Sequence, residues 1–484
     1  MWPPAGPPWP RAVLKRRTAG TGHAGRDNER VTDDARARTS GQLRAHNRVR
    51  LLRAVHDCGA TRTRSQLTRE LDLARGTVSV LVSGLAEEQL LDEAPAAEHA
   101  RGRPTQVPGP HAYGPLALAV DLREDSWDLA VCELGGRPET VVDGRPHDGT
   151  PEGALLSLGA AVREQTGGPA GARVVGVGMS AAGPVREGRL LDIPHLGWRG
   201  VDVAALLALG PGAPPLHLGN DARLAGLAEA RRGQLRGVGV GVHLHIAFDL
   251  GGALLVDGRP LAGASDTAGE FGHMRLTGGR HERCRCGATG CWGLEVGGNA
   301  LLRHLGLEAG GGRGWDTAER ILAQARTEHE ARTARTPRTT PTAPAAHTPP
   351  TEPAQALAAV GATAHALGTG IGNLVNALDP EAVTLSGLGV ELYALAQDTI
   401  TAAYLDGLMD VHRNAPARIA PSALGGDGGP LTGAMESVFD AFLTTEGLAA
   451  WRTARAQRTP RTARTPRTSP TAQGASAAAT NRPA

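Results

Sequence analysis

Three cysteines close together, Cys284, Cys286 and Cys291, carry the sharpest chemical signal in the sequence. Their C-x-C-x4-C spacing is interrupted by turn-forming Gly287 and Gly290. Zinc takes four soft or borderline donors in a tetrahedron, with Zn–S bonds near ~2.3 Å. The fourth donor must come from nearby: His273, on the other arm of a hairpin-like excursion, is the best candidate, and His281 is the substitute. A closed Cys3His set leaves no open position, so the implied Zn2+ is structural. Glu270 lies three residues before His273. Fixing His273 to a metal therefore also fixes a carboxylate able to accept hydrogen bonds from neighbouring hydroxyls, such as those of a sugar.

These residues need a scaffold, and the surrounding pattern predicts an α/β one. Apolar runs at Leu116–Val120, Arg173–Gly178, Val238–Phe248 and Ala382–Leu385 alternate with Ala/Leu-rich helical stretches and Gly-rich turns. Ahead of them the texture is helical. Val49, Leu51, Leu52 and Val55 mark one buried face, and Leu67 and Leu71 mark a short second helix. Asp72-Leu73 forms a turn, and Val78, Leu81, Val82 and Leu85 fall at i, i+3, i+4, i+7 in a third helix. Two short helices, a tight turn and a third helix form a helix-turn-helix, which sets the start of the third helix in the major groove of DNA. Arg75, Gly76, Thr77 and Ser79 would face base edges or phosphates there. Arg64 and the surrounding arginines (Arg44, Arg48, Arg50, Arg53, Arg62, Arg69) outnumber Asp57, Glu70 and Asp72, and guanidinium suits phosphate. Arg101-Gly-Arg103-Pro fits the tip of a wing.

The chain has 484 residues, 40% of them hydrophobic and only 3% aromatic, so its core must rest on Ala, Val and Leu. A net charge of +2 does not decide for or against nucleic acid, because a local basic patch can hide in a balanced total. No apolar run reaches membrane-spanning length and Met1–Pro10 lacks the features of a signal peptide, which predicts a cytoplasmic protein without a membrane partner. Five cysteines is an odd count, and in that compartment a cluster favours metal over disulfides. The expected organisation is a disordered stretch over 1–40, a winged helix-turn-helix over 41–108, an α/β domain over 112–450, and a disordered Arg/Thr/Pro tail over 451–484. Pro104–Pro115 reads as a linker. A low-complexity insert spans 327–353, and the octapeptide RTARTPRT occurs at Arg332–Thr339 and again at Arg461–Thr468.

GASDTAGEFGHM followed by CRCGATGCW resembles the signature of the ROK family (repressor, open reading frame, kinase). VVGVGMSAAGPV at Val174–Val185, IPHLGW at Ile193–Trp198, GNDARLAGLAE at Gly219–Glu229 and NLVNALDPEAVTLSG at Asn373–Gly387 are similar too, as is LRAHNRVRLLRAV at Leu43–Val55. The resemblance implies a winged helix-turn-helix followed by a two-lobed actin-like ATPase fold. It implies sugar held in the cleft by Asn220, Asp221, Glu270 and His273, and zinc held by His273, Cys284, Cys286 and Cys291. In the family's kinases the residue matching Asp221 is the general base.

Departures from the family pattern set the expected function. The kinases' first phosphate loop resembles D-x-G-G-T, whereas this chain reads Asp121-Leu-Arg-Glu-Asp125; the second, G-T-G-x-G, reads Ala247-Phe-Asp-Leu-Gly251. Glu124 and Asp125 would repel phosphate, and Phe248 and Asp249 replace a glycine cradle. Gly293 stands where the family places a sugar-contacting Glu, with Glu295 out of register, and His195 stands where Asn is common. The implied protein is no enzyme. It is a repressor of sugar-metabolism genes, a homodimer or homotetramer on a double-stranded DNA operator, responding to a small sugar or sugar phosphate. The alternatives are a ROK sugar kinase carrying a DNA-binding module and a DNA-binding regulator with a degenerate sensor.

Overall fold

The computed structural model describes residues 40–96, 105–276, 281–309, 315–334 and 352–458. At the N-terminal end, α1 (Ser40–Asp57), α2 (Arg64–Glu70) and α3 (Arg75–Glu87) precede β1 (Leu91–Pro95) and β2 (Gln106–Pro110). A capping box starts α2: the Thr63 hydroxyl accepts from the Gln66 amide at 3.3 Å, and the Gln66 side chain accepts from the Thr63 amide at 2.8 Å. Asp72 turns the chain between α2 and α3 with φ of 51°, a left-handed geometry that Asp tolerates. The apolar set of α3 is buried as its spacing requires, whereas on α1 Val49 is only half-buried and Asn47 and His56 share the buried face. Strands β1 and β2 pair antiparallel from Leu91↔Pro110 to Pro95↔Gln106 and form the wing. Part of the stretch expected to be a linker, Pro104–Pro115, is therefore the wing's second strand, Gln106–Pro110.

The first lobe contains β3 (Leu116–Leu122), β4 (Ser126–Glu133), β5 (Glu139–Pro146), α4 (Pro151–Gly167) and β6 (Val174–Ala181). A small sheet follows, of β7 (Val185–Arg186), β8 (Leu190–Ile193) and β9 (Trp198–Asp202), then α5 (Val203–Leu207), β10 (Leu216–Asn220) and α6 (Asp221–Arg232). The second lobe contains β11 (Val240–Ile246), β12 (Leu250–Val256), β13 (Arg259–Pro260), α7 (Gly298–His304), α8 (Trp315–Ala334) and α9 (Glu352–Leu378). It continues with β14 (Ala382–Gly387), α10 (Gly389–Asp406), α11 (Asp410–Arg413) and β15 (Arg418–Pro421); α12 (Gly428–Phe442) and α13 (Thr445–Arg458) end the chain's described part.

The two large sheets repeat one plan. Their orders are β5-β4-β3-β6-β10 and β13-β12-β11-β14-β15. In each, three antiparallel strands are joined to two parallel ones. The hairpin turns β3–β4 and β11–β12 are thus equivalent positions. Helix α6 packs on β11 and β12 of the second sheet and on α12, which covers β3 and β6 of the first. The α6–α12 approach is close because Gly433 lacks a side chain: a Cβ there would lie 1.9 Å from the Leu224 carbonyl.

Leu51, Leu52, Leu81 and Leu85 of the helix-turn-helix share one buried cluster with Ala117, Leu224, Phe439, Leu448 and Trp451. The Trp451 indole donates to the Glu88 carbonyl at 2.9 Å, and Arg455 reaches Gln89. Residues 451–458 are therefore helical, not part of an unstructured tail, because Trp451 is an apolar anchor. Residues 327–334 of the expected insert likewise extend α8, whose buried face is Ala318, Ile321, Leu322 and Ala325. The remainder of both RTARTPRT copies lies outside the described residues.

Candidate functional site

The zinc motif closes as a small hairpin. The Leu276 amide donates to the Gly290 carbonyl at 3.0 Å, and the Cys284 amide to the Ala288 carbonyl at 2.8 Å. Gly287 makes the tight turn with φ of 96°. Trp292, fully buried, anchors the loop on α9: its indole donates to the Ala366 carbonyl at 2.9 Å, and it occupies space that a Cβ on Gly370 would invade at 2.1 Å. One donor atom from each of His273, Cys284, Cys286 and Cys291 lies within 4.8 Å of the others. Cys286 Sγ is 3.6 Å from Cys291 Sγ, and Cys284 Sγ is 3.8 Å from His273 Nδ1. Bonds of ~2.3 Å in a tetrahedron span edges of about 3.8 Å, so the set fits zinc, whereas a disulfide requires sulfurs ~2.05 Å apart. The other two thiols play no part: Cys132 is buried in β4, and burial pushes its thiol up to about 12.

His273 Nδ1 faces the thiols while its Nε2 lies 3.9 Å from Glu270 Oε2. The ring therefore joins the metal set to the carboxylate, as a metal-bound imidazole does when a carboxylate orients it. Glu270, His273, Asn220 and Asp221 line one cavity of about 240 Å3. Asn220 ends β10 and caps α6, accepting from the Arg223 amide at 3.1 Å and donating to the Gly183 carbonyl at 3.2 Å. The Asp221 carboxylate accepts from the Ala222 amide at 2.7 Å and from Asn220 at 2.8 Å. Burial pushes Asp221 up to about 6 and Glu270 up to about 7.

The two equivalent hairpin turns meet in this cavity. His195, from the short turn after β8, places Nε2 2.8 Å from Asp249 of β11–β12 and Nδ1 3.8 Å from Glu124 of β3–β4. Asp249 also accepts from Asn299 at 3.1 Å. Burial opposes charge on both Asp249 and His195, yet their hydrogen bond and mutual attraction prevail, lowering the carboxyl and raising the imidazole. Burial raises Glu124 to about 7, and its Oε2 is a buried acceptor with no hydrogen-bond partner. Arg123 is committed to Asp128 at 2.7 Å. Gly293 borders the cavity, while Glu295 faces His304 at 3.9 Å. Sequence reasoning did not identify His245, which lines the cavity and bonds Ser386 at 2.8 Å; its only signal was alternation along VGVHLHI.

From the cavity, α6 runs to the helix-turn-helix. Arg231, near its far end, contacts Asp440 at 3.0 Å, and Asp440 also pairs with Arg53 of α1. Arg232 reaches Glu436 at 2.7 Å, and Glu436 bonds His56 of α1 at 3.0 Å. The Gly135 amide donates to His56 Nδ1 at 2.9 Å, leaving Nε2 to donate to Glu436. Glu436 is fully buried; burial works against its charge, but His56 and Arg232 hold its carboxyl down at about 2.

At the outer end of the module, Arg75, Gly76 and Thr77 are exposed on the first turn of α3, where no side chain caps the free amides. Ser79 is half-buried and accepts from Arg64 at 3.4 Å; Arg64 also holds Glu93 of the wing at 2.8 Å. The arginine run proves less available than its composition suggests. Arg48 pairs with Glu88, Arg50 with the Leu71 carbonyl, Arg53 with Asp440, Arg62 with Glu70 and Arg64 with Glu93. Arg101 and Arg103 lie outside the described residues.

A winged helix-turn-helix built onto a duplicated, cleft-forming α/β core defines the class, and comparison gives the family. Residues 118–440 match the ROK family, and the chain belongs to it. It is 21% identical over 388 residues to the xylose repressor of Bacillus subtilis (strain 168), covering 79% of this chain and 92% of that one. A glucokinase of Halalkalibacterium halodurans is 30% identical over 220 residues, 44% of this chain and 61% of the enzyme. The structure of a ROK family transcriptional regulator, a homolog of the E. coli MLC protein, matches with a TM-score of 0.58 at 20% identity, over 85% of this chain and 99% of that one. That likeness shows the fold. No helix among the described residues is long and apolar enough to cross a membrane.

Proposed function

We propose that the chain is a cytoplasmic transcriptional repressor whose hold on a DNA operator responds to a sugar in the 240 Å3 cavity. The single observation that carries this is α6: its first residue, Asp221, borders the cavity, and its last arginines join Asp440 and Glu436, which hold α1. The cavity is bordered by Asn220, Asp221, Glu124 and His195 from the first lobe and by Glu270 and Asp249 from the second. A sugar bonded across it favours one lobe arrangement, and α6 carries the difference to the DNA-binding module. Only such differential binding shifts an equilibrium.

Arg75, Gly76 and Thr77 face the major groove, with Ser79 and Arg64 behind them and Arg101 and Arg103 at the wing tip. A homodimer or homotetramer presents recognition helices to half-sites ~34 Å apart or a multiple of that. His273, Cys284, Cys286 and Cys291 hold one zinc ion, which cross-links the loop bearing Glu270 and takes no part in a reaction. Glu124 and Asp249, at the turns where family kinases hold phosphates, are bridged by His195 and favour a neutral sugar over its phosphate ester. A cavity of this volume is below the ~300–1,000 Å3 of drug-sized sites and suits one sugar ring. The xylose repressor relative supports a pentose among the sugars to test.

Footprinting with genomic DNA tests the proposal: protection of paired half-sites, released or strengthened by one monosaccharide, is the expected result. No specific site, or a site indifferent to every sugar, would refute it. Asp221 within the cavity and the glucokinase relative favour a second reading, a sugar kinase carrying a DNA-binding module. Sugar-dependent ADP release abolished in Asp221→Asn would establish it.

A further inference from the structure

A second cavity, of about 790 Å3, lies where α1, α6, β13 and α12 meet. Four guanidinium groups line it, those of Arg53, Arg223, Arg231 and Arg259, against two carboxylates, Asp266 and Asp440. Two positive charges are thus in excess within a concave space of ligand size. The carboxylates are already shared. Asp440 serves both Arg53 and Arg231, and Asp266 lies 3.6 Å from Arg223. Arg231 Nε is a buried donor with no hydrogen-bond partner, and Arg259 forms no ion pair among the described residues. A buried unsatisfied donor beside uncompensated cations is costly unless an anion completes it. Phosphate and carboxylate groups match the planar fork of arginine, which binds two oxygens at once.

We infer that this junction cavity is a second ligand site, taking a small organic dianion, either a phosphate ester or a dicarboxylate. The site is separate from the sugar cavity, yet Asn220 borders both. Arg53 belongs to the DNA-binding module and Arg259 to the second lobe's sheet, so a dianion bridging them ties one to the other. Its occupancy therefore bears on the α6 connection from a different side than sugar does. The walls come from α1, β7, β10, α6, β13 and α12 and make a concavity of small-molecule size; the exposed first turn of α3 is a different surface.

The test uses the full chain, with the small-anion titrations done in the absence of DNA and free sugar and duplex DNA binding measured separately. Inorganic phosphate, glucose 6-phosphate and succinate are each titrated by calorimetry and thermal shift, with sodium chloride at matched ionic strength as control. Saturable binding of at least one probe, weakened about tenfold or more in both Arg259→Ala and Arg223→Ala, is the expected result. Which probe binds then distinguishes the phosphate from the carboxylate source. Arg259 is exposed and has no ion pair to lose among the described residues, so its variant keeps the fold; unchanged zinc content and thermal midpoint verify this. The inference is overturned if no probe binds saturably at millimolar concentration, or if both variants bind as the parent does. It is also overturned if glucose 6-phosphate binding is lost in Asp221→Asn but kept in Arg259→Ala, which would place the anion in the sugar cavity. Weakened duplex DNA binding in both variants, without small-anion binding by the parent, would assign the arginines to the DNA backbone instead.

Discussion

Glu124 changes its meaning between sequence and structure. In the sequence it is a charge that repels phosphate; in the fold it is a buried carboxylate with a free oxygen in a cavity of sugar size. It faces His195, Asp249, Asp221 and Asp125, and burial raises it to about 7. Its ionised form accepts a sugar hydroxyl, so affinity for a neutral sugar should rise as pH goes from 6 to 8; Glu270, also raised to about 7, adds to the rise, and the share of Glu124 is up to about tenfold. Calorimetry across that range measures it: a flat profile, or the same slope in Glu124→Gln, would remove Glu124 from the site. For the metal, Cys284→Ser should reduce bound zinc from about one per chain to near none and lower the thermal midpoint, because structural zinc supplies folding free energy. Metal analysis of gently purified parent protein that finds no zinc would end this reading. The four zinc candidates were legible because three sit within a single turn of sequence. The roles of Glu124 and His195 were not, since three distant loops bring them together.

Among the elements, α6 and the start of α3 carry the most consequence. The third helix was readable from its apolar spacing, and its exposed face followed. The arginines around it misled, because composition cannot show that Arg48, Arg53 and Arg64 are already paired. Asp440→Asn should leave sugar and DNA each bound while shrinking the effect of sugar on DNA affinity; gel shifts with and without sugar check it, and an undiminished effect would exclude this contact from the connection. Glu436→Gln is harsher. Removing one partner of a buried ion pair costs about 3–5 kcal/mol, which denaturant unfolding would register. Glu436 ionises more readily folded than unfolded. Its stabilising contribution is therefore full above the ordinary Glu range near ~4.3 and is lost as pH falls toward about 2.

For the whole molecule, alternating strands and helices made the α/β class legible, but the repeated sheet plan was hidden. Strand order depends on pairing between segments far apart, such as β11 with β14. The boundary near residue 108 was drawn from a proline-rich texture, while the buried cluster runs across it through Leu85, Ala117 and Phe439. A fragment ending at Pro110 should therefore show no cooperative thermal transition. A sharp transition in the isolated fragment would show that the module stands alone.

That shared cluster also sets an order in time. Chains emerge from the ribosome N-terminus first, and an early domain ordinarily folds while the rest is still being made. Here the helix-turn-helix leads the chain, yet its buried face is completed by Phe439, Leu448 and Trp451 near the other end. A nascent or truncated copy lacks the residues that seat its recognition helix. The core of the helix-turn-helix is therefore complete only once the segment bearing Phe439, Leu448 and Trp451 has been made.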